Sequence, residues 1–238
     1  MRQFEGLVAV VTGASSGIGQ ATALALADRG AHVCLVGRDL ETLQRASHCA
    51  TGHTSCYVAD LTDDAQIHHL VDALEQNIGK IDVLIHSAAV IALGSTDSAP
   101  IENFDYQYRT NLRAPFLLTK LSLPMLRRTR GQVIFMNSNA AMRPGPQSGQ
   151  YAATKAGLRA VADSLREETQ ATGMRVLSLF IGRTATPMQK SVHQHEGAPY
   201  FPELLIQPQD VADIVVSAIS LRRTVEITEL SLRAMRTN

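Results

Sequence analysis

Short apolar runs alternate with longer amphipathic stretches from one end of the chain to the other. The runs lie at 7–11, 32–36, 56–59, 83–85, 133–136, 176–181 and 225–232. Several lack polar alternation, which is how strands covered on both faces read. Between them, Ile67, Leu70, Val71, Leu74 and Ile78 keep one helical face, as do Val211, Ile214, Val215, Ala218 and Ile219. Repeated βα units of this kind predict an α/β fold: a doubly wound parallel sheet of about seven strands, with right-handed crossovers and helices on both faces. Those strands account for the whole length, and no linker, repeat or low-complexity segment interrupts them. Residues 1–238 are therefore expected to form a single domain.

The turns after the strands carry the candidate chemistry. The first is Thr12-Gly13-Ala14-Ser15-Ser16-Gly17-Ile18-Gly19, between the first strand and a helix that starts near Gly17. Glycines there permit a tight turn and let a pyrophosphate approach the backbone at a helix N-terminus. Thr12, Ser15 and Ser16 add hydroxyl donors. The alternative is an ordinary tight turn. The second strand ends at Val36-Gly37-Arg38-Asp39, which in a dinucleotide fold faces the adenosine ribose. An acidic residue there suits a 2′-hydroxyl and an arginine suits a 2′-phosphate. Gly37 leaves the acidic position bare, so Arg38 favours NADP over NAD, and Asp39 reads as the cap of the next helix.

Asp60, at the end of the third strand, could accept from an adenine amine or cap the helix that contains Ile67. The fourth strand ends at His86-Ser87-Ala88-Ala89. Its small residues would let a cofactor lie against the backbone, or a helix pack closely, and His86 reads as a hydrogen-bonded structural side chain. A later helix contains Pro115, which cannot donate to the carbonyl of Asn111. That irregularity could hold a water near the site or be an accident of packing.

The fifth strand runs into Ser138, where ligands bind in such sheets. Thirteen residues on, Tyr151 and Lys155 lie four apart, one turn from each other on one helix face. A nearby ammonium favours a phenolate. Bringing a tyrosine pKa from about 10 to neutrality corresponds to roughly 4 kcal/mol. With Ser138, the pair would make a carbonyl-polarising acid/base.

Composition narrows the classes. The chain of 238 residues is 45% hydrophobic and 18% charged, with formal net charge zero. A neutral balance gives no electrostatic footprint for nucleic acid or an acidic membrane, and Arg127-Arg128-Thr129-Arg130 reads as a solvated helix end. The N-terminal apolar run is too short for a signal peptide or a membrane span. Three cysteines, Cys34, Cys49 and Cys56, without a Cys-x-x-Cys pattern, fit reduced thiols in the cytosol. His193 and His195 are a close pair without an obvious third ligand, so no metal is expected. Residues 188–207 show no clear period and read as a substrate or lid loop, with Tyr200 and Phe201 forming an apolar or ring-binding wall or a subunit contact.

These pieces together resemble the short-chain dehydrogenase/reductase family, in its short NADP-using branch. The resemblance is carried by TGASSGIG at 12–19, Asp60, Asn111, Ser138, Tyr151-x-x-x-Lys155 and Gly182-Arg183-Thr184-Ala185-Thr186, in order and spacing along the chain. It implies a Rossmann-type sheet of strand order 3-2-1-4-5-6-7 and NAD(P)-dependent carbonyl/alcohol chemistry. By that resemblance Tyr151 is the acid/base, Ser138 holds the substrate oxygen, and Lys155 binds the nicotinamide ribose and lowers the Tyr151 pKa. Asn111 positions a water in a proton relay. The cofactor set becomes Gly13, Ser15, Ser16, Gly17, Ile18, Gly19, Arg38, Asp60, Leu61, Ser87, Ala88, Tyr151, Lys155, Gly182, Thr184 and Thr186. The helices near 101–128 and 150–172 resemble those that pair subunits into homodimers or homotetramers. Two departures stand out: His86-Ser87-Ala88-Ala89 replaces the family's Asn-Asn-Ala-Gly, and Ile181 replaces a proline. The function implied is NADPH-dependent reduction of a small ketone or aldehyde, reversible, in the cytoplasm. The competing reading is a non-catalytic NADP(H)-binding regulatory or scaffolding protein.

Overall fold

A computed structural model describes residues 3–235. The strands are β1 (Val8–Thr12), β2 (His32–Gly37), β3 (Thr54–Val58), β4 (Val83–His86), β5 (Gln132–Ser138), β6 (Arg175–Ile181) and β7 (Glu229–Leu232). They form one parallel sheet in the order β3-β2-β1-β4-β5-β6-β7, as the resemblance implies. The helices are α1 (Gly17–Asp28), α2 (Leu40–His48), α3 (Asp64–Asn77), α4 (Ile101–Tyr108), α5 (Ala114–Thr129), α6 (Gly149–Thr169), α7 (Pro187–His195) and α8 (Pro208–Ser220).

Alternation along each strand assigns its side chains to two cores. Val11, Leu35, Ile85, Ile134 and Leu179 pack beneath α1 and α8, with Leu26, Val211 and Val215. Val10, Cys34, Leu84, Phe135 and Val176 pack on the other face against α3, α5 and α6, through Ile67, Leu118 and Leu158. Every residue of β1, β4 and β6 is buried, so the runs read as continuous apolar blocks.

Aspartate caps set where α2 and α3 begin. Asp39 accepts from the Thr42 N–H at α2, and Asp63 from the Ala65 N–H at α3. The cap of α3 is thus Asp63, and Asp60 instead closes a turn by accepting from the Thr62 N–H and hydroxyl. Between α4 and α5, residues Arg109–Arg113 widen into a π-helical turn just before Pro115. The irregularity expected at this proline is therefore present.

Two expectations need correction. The last strand begins at Glu229, not at 225. The residues before it serve side chains instead: Arg175 donates to the Val225 carbonyl, and the Glu226 carboxylate accepts from the Val176 N–H. The 188–207 segment is not a featureless loop. Its first half is α7, capped by the Thr186 hydroxyl with Pro187 at the first helical position. Its base is closed by backbone bonds from Ala185 N–H to the Ile206 carbonyl and from Ile206 N–H to the Arg183 carbonyl.

The chain leaves β1 toward β2 and β3, then returns to place β4 on the opposite side of β1. That reversal opens a crevice at the carboxyl ends of β1 and β4.

Candidate active site

A cavity of about 670 Å³ occupies this crevice. Gly13, Ser15, Ser16, Gly17, Ile18, Gly19, Arg38, Asp60, Leu61, Ser87, Ala88, Ser138, Tyr151, Lys155, Gly182, Thr184 and Thr186 all line it. Asn111 does not. Its buried amide accepts from the Val90 N–H and donates to the Val90 carbonyl and the Thr154 hydroxyl. Asn111 therefore fastens the segment after β4 to α6 from behind the cavity wall.

The β1–α1 turn is built for close approach. A Cβ on Gly13, whose φ is +65°, would lie 2.8 Å from the Ala88 Cα, and one on Gly19 would lie 2.3 Å from the Gly13 carbonyl oxygen. Side chains cannot fit at either position. Thr12 does not line the cavity, and its hydroxyl donates within the chain, to the Ile85 carbonyl at 3.4 Å. Its Oγ1 accepts from the Ser87 and Ala88 N–H groups at 3.0 and 3.1 Å, locking the end of β4 to β1. The N-terminus of α1 has neither a side-chain cap nor an acidic residue in its first turn. It faces the cavity, and its unmatched N–H groups and helix dipole suit an anion. This donor set fits a pyrophosphate.

On the β2 side of the cavity, the Arg38 Nη1 donates to the Tyr106 hydroxyl at 2.8 Å, joining the end of β2 to α4. Tyr106 also lines the cavity. At the other side, Thr186 caps α7 and donates to the Thr184 carbonyl. The Gly182 N–H bonds to the Leu232 carbonyl, and its carbonyl accepts from the Thr184 hydroxyl. Thr186 and Gly182 thus have structural duties as well as a place on the wall.

Ser138, Tyr151 and Lys155 meet at the overhanging end of β5. Asn137 fixes the junction: its Nδ2 donates to the Lys155 carbonyl, and its Oδ1 accepts from the Ser138 N–H. Lys155 is 2% exposed, and its Nζ donates to the Met136 carbonyl at 2.9 Å. Burial lowers its pKa from 10.5 to about 8. Tyr151 is densely surrounded yet keeps a surface on the cavity. Burial raises its pKa, and a hydrogen bond with Ser138 offsets part of that rise. The expected lowering by Lys155 is not seen: Nζ sits 5.9 Å from the ring centroid and is engaged with the backbone. Tyr151 is therefore a phenol at neutral pH.

His86 behaves as a structural side chain. Its Nε2 bonds to the Thr119 hydroxyl at 2.8 Å and its ring stacks on Phe135. Burial, with Lys155 nearby, brings its pKa to about 3, so it stays neutral. His193 is buried on α7 with its Nδ1 against Gln189, and no cluster of potential metal ligands occurs among the described residues. Tyr200 and Phe201 do not form a substrate wall. Tyr200 packs edge-on against His193, Phe201 is half exposed, and neither lines the cavity.

Comparison with known proteins settles the family. The model of the family described as short chain dehydrogenase matches residues 7–197. The chain belongs to the short-chain dehydrogenase/reductase family. It is 31% identical over 227 residues to an uncharacterized oxidoreductase of Staphylococcus epidermidis, covering 95% of this chain and 96% of that protein. An alcohol dehydrogenase of the archaeon Thermococcus sibiricus, solved with 5-hydroxy-NADP, superposes with a TM-score of 0.88 at 26% identity, covering 98% and 99% of the two chains. A metagenomic short-chain oxidoreductase solved with NADP superposes with a TM-score of 0.84 at 29% identity, covering 99% and 100%. The protein is thus an oxidoreductase of this family, whose members use nicotinamide cofactors.

Sequence reasoning missed Tyr106, Asn137, and the pairing of Arg183 with Glu196 on the cavity wall. The last follows from α7. The order Thr186-Pro187-x-Gln189 is a helix-start signal, and reading it would have placed Glu196 at that helix's end.

Proposed function

We propose that this protein is an NADP(H)-dependent reductase of ketones or aldehydes, reversible toward the alcohol. The observation that carries the reading is the meeting of Tyr151, Ser138 and Lys155 in the cavity that also receives the uncapped N-terminus of α1. When bound, the nicotinamide supplies the hydride. The N–H groups of Gly17, Ile18 and Gly19, with Ser15 and Ser16, hold the pyrophosphate. Arg38 meets the 2′-phosphate, Asp60 and Leu61 flank the adenine, and Ser87 and Ala88 form the floor. Gly182, Thr184 and Thr186 border the nicotinamide end. The two neighbouring structures that contain NADP or its 5-hydroxy derivative support this choice of cofactor.

In reduction, the Tyr151 hydroxyl gives its proton to the substrate oxygen, and the Ser138 hydroxyl donates a second hydrogen bond to it. With its pKa raised by burial, Tyr151 holds its proton at neutral pH and has it to give, although the same burial makes it the weaker acid. Lys155 has two ammonium protons beyond the one given to Met136, and these would be available to the ribose of a bound cofactor and to the developing phenolate. Asn111 keeps Val90 and α6 in register; a relay through a water near it belongs to this proposal.

Tyr151→Phe tests the reading. NADPH oxidation with a panel of aldehydes, ketones and diketones should fall by about 10²–10⁴-fold, with NADPH binding retained. An unchanged rate would refute Tyr151 as acid/base, and no turnover by the native protein would favour a non-catalytic binder. The exposed apolar residues Ile101 (61%) and Phe116 (53%) on α4 and α5 support a homodimer or homotetramer. A monomer by light scattering would contradict that. Three free thiols suit a reducing cytoplasm.

A further inference from the structure

We propose that the substrate half of the cavity recognises an aliphatic carbonyl compound bearing a carboxylate, an oxo acid, and that Arg143 binds that carboxylate. This rests on the reductase reading above. The wall around Tyr151 comes from the segments after β4, β5 and β6, and its charged rim side chains are Arg143, Arg183 and Glu196. Arg183 and Glu196 cancel each other: Nη1 and Nη2 bind the two carboxylate oxygens at 2.7 and 2.6 Å. Among the described residues Arg143 has no carboxylate within 4 Å and no side-chain hydrogen bond. A guanidinium is charged at every working pH. At the rim Arg143 is therefore the one uncompensated positive charge, separate from the Lys155 ammonium at the floor of the cavity, and a single planar guanidinium matches a carboxylate.

The backbone fixes where the exposed Arg143 side chain starts. The Met142 and Arg143 N–H groups both bond to the Asn139 carbonyl, at 3.1 and 3.0 Å, so the turn that begins at Ser138 carries Arg143. The loop beyond it is fastened across the cavity, where the Gly94 N–H bonds to the Gln147 carbonyl at 2.8 Å. Gln147 keeps a left-handed backbone, φ 60°, a conformation that persists in a non-glycine residue only where the surroundings hold it. The rest of this wall combines the aliphatic Val90, Ile91, Leu93, Met188 and Val192 with uncharged polar side chains, of which Asn139, Ser148 and Gln189 are bonded within the protein. Apart from Tyr151, its only aromatic ring among the described residues is Tyr106, at the adenosine end. A short alkyl chain with a carboxylate at one end and the carbonyl at Tyr151 meets these groups. In the reaction the carbonyl π bond gives way to a C–H bond made by hydride and an O–H bond made with the Tyr151 proton. NADPH is oxidised to NADP⁺, and the carboxylate is unchanged.

The first test needs no turnover. Binding of hexanoate and of hexanamide to the NADP-loaded protein is compared by calorimetry, for the native protein, Arg143→Gln and Arg143→Lys. A charge-assisted hydrogen bond lost from the amide makes hexanoate about tenfold or more the tighter ligand. Arg143→Gln should erase that preference, and Arg143→Lys should keep part of it. Equal binding of acid and amide by the native protein would overturn the proposal. So would a preference that survives Arg143→Gln, or a loss that falls equally on both ligands. The second test compares kcat and KM for 4-, 5- and 6-oxo acids against their methyl esters, with the acids expected to show the lower KM. A carboxylate preference in binding without turnover of any oxo compound would leave the Arg143 subsite standing and refute the reductase reading.

Discussion

Replacing Lys155 with Met removes a buried ammonium and keeps most of the side-chain volume, so it separates what the fold needs from what the site needs. Burial brings the Lys155 pKa from 10.5 to about 8, equivalent to about 3 kcal/mol against the charged form. The unfolded chain titrates this group near 10.5 and the folded chain near 8. Between those values the unfolded state binds more protons, so stability rises with pH; below about 8 the whole penalty is present. Against the gain from removing the charge stands the loss of the Nζ bond to the Met136 carbonyl, roughly 1–3 kcal/mol. Lys155→Met is therefore expected to be up to about 2 kcal/mol more stable than the native protein at pH 7. It should become the less stable of the two by about pH 10.5, where the native amine is neutral and still bonded. Urea unfolding of the ligand-free proteins at both pH values measures this, and the difference between them cancels other groups that titrate in the same range. Activity should be lost at every pH. A stability difference that does not change with pH would refute the buried, charge-penalised lysine on which this account of the site depends.

Three further outcomes follow from other parts of the cavity. Gly19→Ala sets a Cβ against the Gly13 carbonyl at 2.3 Å, so the turn must open, and the thermal shift produced by NADPH should disappear; a native-sized shift would contradict the tight turn. Arg38→Asp should weaken NADPH about tenfold or more while sparing NADH, and Tyr106→Phe, which removes the acceptor holding Arg38, should move the same ratio by less. An NADPH-to-NADH ratio unchanged in both variants would refute Arg38 as the phosphate ligand. For the reductive kcat/KM, which reports the free enzyme, the Tyr151 phenol persists through neutrality and the Lys155 ammonium is lost above about 8. The profile should be level from pH 6 to 7.5 and decline above about 8, and a decline toward acid would count against these assignments.

The sheet was legible in the sequence because its interior strands are buried on both faces and read as apolar blocks. The edges were less so. At β3 the partly exposed Thr54 and Ser55 belong to the strand though they break the apolar run, and at β7 the run outlasts the strand because residues 225–228 answer to Arg175 and Val176. The helix α7 was hidden because its pattern has little apolar periodicity, only Val192 and His193 being buried. Its start signal lay in a proline and a hydroxyl rather than in hydrophobic spacing.

Which residues gather around the cavity was legible and how they bond to one another was not, and the reason is geometric. Spacing along a helix places Tyr151 and Lys155 on one face, but whether the ammonium serves the phenol depends on which acceptor lies nearer. That is decided by strand lengths. β4 is last paired at His86, opposite Phe135, whereas β5 runs on with β6 to Ser138 and Ile181. The three residues of β5 that overhang β4 put the Met136 carbonyl within reach of Lys155, and Ser138 at the lip. Thr12 then draws the Ser87 and Ala88 N–H groups toward β1, holding the floor at the point where β4 stops. The short fourth strand thus makes the crevice, supplies its polar lining and orients the lysine. The His86 that departs from the family's pattern sits at that strand's end, tied to Thr119 and stacked on Phe135. It keeps the overhang rigid without adding a charge beside Lys155, because its own burial holds it neutral.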